Sequence, residues 1–155
     1  MIKGIHHTAI STSDIERSLS FYKDMLGFEE VAGFSWEKGN DAIDTITNLK
    51  SSAGRVALIR IGNAFVELFE FQSPQPVKAN PNRPVCDHGV THICLEVEDV
   101  EAEHKRLSTA GMRFLSPPVD AGMGLKAVYG RDPDGNVVEL LEVEGKDNPF
   151  AIVRN

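Results

Sequence analysis

The sequence predicts an α+β fold built from two tandem βαβββ modules. Three observations predict it. Apolar and turn patterns occur twice in the same order, the two copies keep a constant spacing through their first halves, and an aperiodic Pro-rich segment separates them. We therefore expect each module to contain one strand, one helix and then three strands.

The first module is predicted to span residues 1–72. A strand over 5–12 precedes a helix over 15–26, which Ser13 or Asp14 caps and Gly27 ends. A second strand over 28–34 leads into a polar loop over 36–52 with one short helical turn. Gly62-Asn63 then indicates a hairpin between strands at 55–61 and 64–71.

The second module is predicted to span residues 89–145, after a linker over 73–88 and before a tail over 146–155. Its strands are expected at 89–97, 113–114, 125–129 and 137–143. Asp99 is expected to cap its helix and Gly111 to end it. The run Asp132-Pro133-Asp134-Gly135-Asn136 predicts a tight turn directly before the last strand.

The repeat aligns chemically reactive residues as well as structural ones. His7 and His92 are 92 − 7 = 85 residues apart, and the capping residues Asp14 and Asp99 are also 99 − 14 = 85 apart. Glu67 and Glu139 occupy matching places on the last strands, with 139 − 67 = 72 residues between them. The shorter spacing follows from the longer loop in the first module.

Composition narrows the classes of function. The chain has 16 basic and 23 acidic residues and a net charge of −7, which argues against nucleic-acid binding. No apolar run approaches the roughly 18 residues of a membrane helix, and the first residues do not resemble a signal peptide. We expect a cytoplasmic protein with a small-molecule substrate. The two cysteines form neither a disulfide framework nor a zinc motif, and Cys94 is expected to be buried.

Two imidazoles and two carboxylates suit a divalent ion such as Zn, Ni, Co, Fe or Mn. A pseudo-twofold relation between the modules would bring His7, Glu67, His92 and Glu139 together. The expected architecture is then a half-barrel sheet around a central metal cavity. Whether one chain supplies all four ligands or two chains share them stays open.

Other polar residues have simpler interpretations. A single His on a strand is more often a core or surface group than a ligand, and His6 is expected to face away from His7. His104 is expected on the surface of its helix. Glu70 and Glu142 follow the candidate ligands by three residues, so they should lie on the opposite strand face, in water.

Substrate contacts are predicted at five positions. Phe34 and Trp36 border the long loop and would form an apolar wall, with an interface role as the alternative. Arg55 and Lys126, together with Arg131, would hold an anionic substrate, with a plain surface charge as the alternative.

Several of these segments carry the motifs of a known family. They are His7-Thr8-Ala9-Ile10, Phe21-Tyr22-Lys23-Asp24-Met25-Leu26-Gly27-Phe28, Val66-Glu67-Leu68, Thr91-His92-Ile93 and the turn and strand from Asp132 to Glu139. In them the chain resembles the vicinal oxygen chelate superfamily. That superfamily includes glyoxalase I, methylmalonyl-CoA epimerase, extradiol dioxygenases and fosfomycin-resistance proteins. Its members often pair, so a homodimer is expected.

The resemblance implies a metal-dependent isomerase or lyase. Glyoxalase and epimerase members carry a fourth ligand where Glu67 stands, whereas a dioxygenase with ferrous iron would leave Glu67 spare. The ion would chelate two neighbouring substrate oxygens and acidify the adjacent C–H through an enediolate, while Glu139 or Glu67 moves the proton. A metal-free small-molecule binding or resistance protein is the third hypothesis.

Overall fold

The computed structural model describes residues 1–152, and the chain divides into two compact units. The first unit covers Met1–Lys78 and the second begins at Ala79. Each unit has its own open sheet and a helix packed against it, so the predicted α+β class is confirmed. None of the helices in residues 1–152 is long and apolar enough to cross a membrane. Residues 153–155 of the predicted tail lie outside the described part of the chain.

The first unit has a four-stranded sheet with the order β1-β4-β3-β2. Strand β1 runs parallel to β4, and the other neighbours are antiparallel. The elements are β1 (His7–Ser11), α1 (Ile15–Leu19), β2 (Glu29–Trp36), α2 (Asp41–Thr47), β3 (Ala53–Ile61) and β4 (Ala64–Ser73).

The first helix begins and ends as the sequence predicts. The Asp14 carboxylate accepts a hydrogen bond from the backbone N–H of Arg17 at 3.0 Å, which satisfies one of the free donors of the first turn. Beyond α1 the chain continues as a π-helical segment, Ser20–Met25. Gly27 then turns the chain out of the helix with a φ of 79°, a conformation that favours glycine.

The core of the first unit lies between this helix and one face of the sheet. Ile15 and Tyr22 are buried on the helix, and Ile59 and Leu68 are buried on β3 and β4. Strand alternation sends the neighbouring residues of β4 to the other face of the sheet. Glu67 therefore lies on the face that the helix does not cover.

The second unit has a five-stranded sheet with the order β5-β9-β8-β6, and β7 pairs with β8 beside it. Strand β5 runs parallel to β9. The elements are β5 (His92–Val97), α3 (Val100–Thr109), β6 (Arg113–Phe114), β7 (Val119–Gly122), β8 (Leu125–Arg131) and β9 (Val137–Val143).

Two carboxylates hold the start of α3. Asp99 accepts from the backbone N–H of Ala102 at 2.9 Å, as predicted. Glu142 on β9 accepts from the backbone N–H of Val100, also at 2.9 Å. The expectation that Glu142 lies in water is therefore wrong, because the start of α3 packs close to the last strand.

The turn before β9 is organised around one buried carboxylate. Asp132 accepts hydrogen bonds from the backbone N–H of Asp134 at 3.0 Å and from that of Asn136 at 2.8 Å, and a third from the Asn136 side chain at 2.8 Å. Gly135 adopts a φ of 93°, and a Cβ there would collide with the backbone of Pro81. These contacts explain the Asp-Pro-Asp-Gly-Asn run and fix where β9 begins.

Two elements differ from the prediction. The run Val-Asp-Ala-Gly does not predict strand β7, because it is short, holds one β-branched residue and has all four residues exposed. Helix α2 replaces a single turn, although it buries none of its residues. The Asp44 carboxylate, in α2, accepts hydrogen bonds from the backbone N–H groups of Ser51 and Ser52 at 2.8 and 2.9 Å. Strand β7 depends on backbone pairing with β8, and α2 depends on capping and side-chain contacts with the backbone. Neither kind of contact can be predicted from the spacing of apolar residues.

Two further expectations about single residues are wrong. Cys94 is exposed, because it lies on the face of the second sheet that α3 leaves uncovered. His104 is half-buried, with its ring 4.5 Å from that of Phe114.

The contact between Glu142 and α3 makes a stability prediction. We expect Glu142→Ala to lower the free energy of unfolding by about 1 kcal/mol, the usual effect of losing a carboxylate cap. Urea unfolding followed by circular dichroism measures it. Glu144→Ala removes an exposed carboxylate two residues further on and should change little. Equal stability of Glu142→Ala and wild type would show that the contact contributes nothing.

Close packing at Gly54 makes a second prediction. A Cβ at this position would lie 2.5 Å from the carbonyl oxygen of Glu70 and 2.7 Å from the Trp36 ring. We expect Gly54→Ala to destabilise the protein by about 2 kcal/mol through overpacking and to shift the fluorescence of Trp36, the sole tryptophan. Ser35→Ala, at an exposed position beside Trp36, is the control. An unchanged emission spectrum in Gly54→Ala would contradict the packing.

Candidate functional site

The first candidate pair joins the two parallel strands of the first unit. Glu67 of β4 pairs in register with Ala9 of β1, two residues after His7. The Nε2 atom of His7 lies 3.3 Å from Oε2 of Glu67. Their side chains are 37% and 23% exposed, so both are reachable from solvent.

The second pair has the same construction in the second unit. Glu139 of β9 pairs in register with Cys94 of β5, two residues after His92. The Nε2 atom of His92 lies 2.9 Å from Oε2 of Glu139, and the side chains are 27% and 14% exposed. The two units therefore present the same His and Glu from the same strands at the same offset.

The other ring nitrogen of each histidine also has a partner. Nδ1 of His7 lies 2.8 Å from Nδ1 of His6, and Nδ1 of His92 lies 2.9 Å from the hydroxyl oxygen of Thr91. The prediction that His6 faces away from His7 is wrong, because His6 precedes β1 and strand alternation does not apply to it. In both units Nε2 is consequently the nitrogen directed toward the carboxylate.

Each pair fits one edge of a metal coordination shell. With bonds of about 2.1 Å, two ligand atoms of one ion lie about 3.0 Å apart at a right angle and about 3.4 Å apart at a tetrahedral angle. The separations of 2.9 and 3.3 Å are each within about 0.1 Å of one of these values, and they are also usual for a hydrogen-bonded His–Glu pair. In residues 1–152 no three His, Cys, Asp or Glu side chains gather into a metal-sized group, so each pair supplies two donors.

The residues that pair with the two glutamates differ between the units. Glu139 pairs in register with Cys94 and Tyr129, whereas Glu67 pairs with Ala9 and Leu58. The Tyr129 ring lies 5.1 Å from that of His92, and Tyr129 pairs in register with Glu139. The Cys94 thiol keeps contact with solvent but is partly desolvated, and this partial burial together with the Glu139 charge raises its pKa to about 12. The same two causes raise the pKa of Tyr129. Both groups are therefore neutral near pH 7, and Cys94 is not a ready thiolate nucleophile.

The predicted aromatic wall lies on the same sheet face as Glu67. Register places Phe34 across β3 from Phe69, and Trp36 across β3 from Phe71. The four rings pack in contact, with centroids 5.5 to 6.2 Å apart. Phe34 is largely exposed, whereas Trp36 is buried and donates a hydrogen bond to Ser52 at 3.0 Å. Phe34 is thus the most exposed of the four rings, and the buried Trp36 packs beside it.

The predicted cationic residues lie elsewhere. Arg55 is on the helix face of the first sheet, where it pairs with Glu16 and approaches Glu70 at 3.8 Å. Lys126 pairs in register with Glu142, on the face opposite Glu139. Arg131 is buried and donates to backbone carbonyls, at 2.8 Å to that of Arg83. Neither Arg55 nor Lys126 shares a sheet face with its unit's candidate ligands.

Sequence reasoning did not select Thr91 and Tyr129, and it set His6 aside. Thr91 and His6 could have been found in the sequence, since each directly precedes a candidate histidine ligand. Tyr129 could not be found in this way, because its position depends on the antiparallel register between β8 and β9.

Comparison with known proteins supports the relationship that the motifs indicate. Residues 4–140 match the family model of the Glyoxalase/Bleomycin resistance protein/Dioxygenase superfamily. A lactoylglutathione lyase of Pseudomonas aeruginosa is 27% identical, over 88% of this chain and 81% of its own length. A mitochondrial methylmalonyl-CoA epimerase of Mus musculus is 26% identical, over 88% of this chain and 71% of its own.

Among solved structures, a glyoxalase family protein from Bacillus cereus superposes with a TM-score of 0.84. It is 20% identical, and the match covers 94% of this chain and 97% of the other. This likeness supports the fold, while the match over residues 4–140 carries the assignment. The chain belongs to the Glyoxalase/Bleomycin resistance protein/Dioxygenase superfamily, the vicinal oxygen chelate proteins.

Proposed function

We propose that the protein is a divalent-metal-dependent isomerase or lyase that transfers a proton beside a carbonyl group of a small substrate. The observation that carries the proposal is the pair of equivalent His–Glu contacts, at 3.3 and 2.9 Å, on parallel strands of two repeated units. A lone His–Glu contact is a common ion pair. Two contacts with the same strand order and the same offset are what a repeated ligand set requires.

His7, Glu67, His92 and Glu139 would hold the ion, and imidazole with carboxylate suits Zn, Ni, Co, Fe or Mn. When bound, the ion would polarise two neighbouring substrate oxygens and stabilise the negative charge that develops on them. The four-donor set favours the glyoxalase and epimerase type over a dioxygenase, whose two-histidine, one-carboxylate set would leave Glu67 spare.

The chain's own carboxylates would move the proton. A carboxylate within reach of the acidic C–H takes the proton and returns it to the same or the neighbouring carbon. Glu67 and Glu139 are the two candidates. The exposed ring of Phe34, on the same sheet face as Glu67, would contact the apolar part of the substrate.

Metal binding is the first test of this proposal. We expect the purified protein to hold a divalent ion in stoichiometric amount, measured by inductively coupled plasma mass spectrometry. Glu139→Gln and Glu67→Gln should each weaken binding on the order of 100-fold or more, because a direct ligand contributes more than its outer partners do. Glu139→Gln should lower the metal affinity more than Glu67→Gln does. The Glu139 carboxylate is less exposed, so water screens its charge less.

Glu144→Gln is the matched control, since it changes an exposed carboxylate next to the end of β9. A wild-type protein that binds no divalent ion after metal loading would refute the proposal. Equal binding by wild type and both ligand variants would refute the ligand assignment.

Deuterium exchange tests the reaction class. Under nitrogen in D2O, the metal-loaded protein should place deuterium on the carbon beside the carbonyl of S-lactoylglutathione or of methylmalonyl-CoA, as read by proton NMR. Whichever of Glu67→Gln and Glu139→Gln removes the proton carrier should lower kcat at saturating metal by about 100-fold or more. The other variant should act mainly through metal affinity.

Oxygen consumption provides the opposing outcome. A ferrous protein that takes up oxygen with catechol compounds, and exchanges deuterium into neither thioester, would be a dioxygenase. Exchange under nitrogen with zinc or nickel excludes that chemistry as the source of the signal.

A further inference from the structure

We propose that His6 and Thr91 are positioning residues, each holding the neighbouring histidine so that its Nε2 atom is free to bind the metal ion. This inference rests on the proposed function, because it assigns the outer partners of the same ligands. The observation that carries it is a side-chain atom within hydrogen-bond distance of Nδ1 of each candidate ligand. Nδ1 of His6 lies 2.8 Å from that of His7, and Oγ1 of Thr91 lies 2.9 Å from that of His92.

The chemistry of imidazole explains why such partners are needed. A neutral ring carries one N–H and one lone pair, so coordination through Nε2 requires the proton to be on Nδ1. An acceptor beside Nδ1 stabilises that tautomer and fixes the plane of the ring. In that tautomer the hydroxyl of Thr91 would accept from the Nδ1–H of His92, and Nδ1 of His6 would accept from the Nδ1–H of His7.

The same kind of contact occurs in both units. His6 and Thr91 each directly precede a candidate ligand, His7 and His92 respectively. The residue types differ, but both put a hydrogen-bonding atom next to Nδ1 of the following histidine. A surface contact without a role would not be expected to recur at the same place in both units.

Each partner is itself restrained, although both are exposed. The ring of His6 stacks on Phe65, with centroids 5.2 Å apart and planes 3° from parallel. Phe65 pairs in register with His7, so one strand pair holds the ligand and its partner together. Thr91 is β-branched, and its side chain therefore has few rotamers to choose among.

Paired substitutions separate the hydrogen bond from the shape of each partner. Thr91→Val keeps the branched shape without the hydroxyl, whereas Thr91→Ser keeps the hydroxyl. His6→Phe keeps an aromatic ring for stacking on Phe65, whereas His6→Asn keeps an acceptor near the place of Nδ1. Thr109→Val is the control, since it removes an exposed threonine hydroxyl that donates a hydrogen bond to the backbone carbonyl of Lys105, within α3.

Zinc affinity, measured by competition with a chromophoric chelator, is the main readout. We expect Thr91→Val and His6→Phe to weaken zinc binding about 10-fold or more, the usual effect of losing an outer-shell partner. Thr91→Ser, His6→Asn and Thr109→Val should bind close to wild type. The melting temperature of the metal-free protein should be similar in all five variants, which separates positioning from a general structural role.

A spectroscopic readout follows the same bond. In zinc-loaded protein labelled with nitrogen-15, the Nδ1–H of His92 should exchange slowly with water in wild type and Thr91→Ser, and faster in Thr91→Val. Wild-type zinc affinity in both Thr91→Val and His6→Phe would overturn the inference and leave the proposed function standing. A wild-type protein that binds no zinc or other divalent ion would overturn both.

Discussion

Parallel pairing between the first and last strands of each unit is the contact on which the candidate site depends. It brings together residues that are 67 − 7 = 60 apart in the first unit and 139 − 92 = 47 apart in the second. A shift of one residue in either register would send the Glu to the helix side of its sheet. The buried Asp132 turn matters for this reason, because it sets the residue at which β9 starts to pair.

The same strand alternation that exposes the candidate ligands places Arg55 and Lys126 on the opposite faces of their sheets. Each sheet has one face under its helix and one face left open, and successive side chains go to opposite faces. Arg55 pairs in register with Glu70, which is three residues from Glu67 and therefore on the opposite face of the sheet. Its guanidinium group forms an ion pair with Glu16 and approaches Glu70. The sequence shows that Arg55 is positively charged. It does not show on which face of the first sheet Arg55 lies, because that face depends on the pairing of β3 with β4.

Features encoded by neighbouring residues were predictable, and features that depend on distant contacts were not. Asp14 and Asp99 were recognised as helix caps because an N-cap acts within three residues of itself. Strand β9 was predicted with its observed bounds, since its apolar run follows a strong turn signal. Strand β7 could not be predicted from the sequence, because its pairing with β8 is what makes it a strand. Glu142 was misjudged because its partner, the N–H of Val100, is 42 residues away.

The repeat keeps the donor atoms alike while their surroundings differ, and this difference makes the two carboxylates unequal. Glu67 retains more contact with water than Glu139, and water stabilises its charge when no cation is near. Glu139 is less hydrated and pairs in register with Cys94 and Tyr129, which stay neutral. Because screening is weaker there, a cation bound at the proposed site would gain more from Glu139 than from Glu67. Equivalent positions in a duplicated sequence therefore do not imply equal contributions to ion binding.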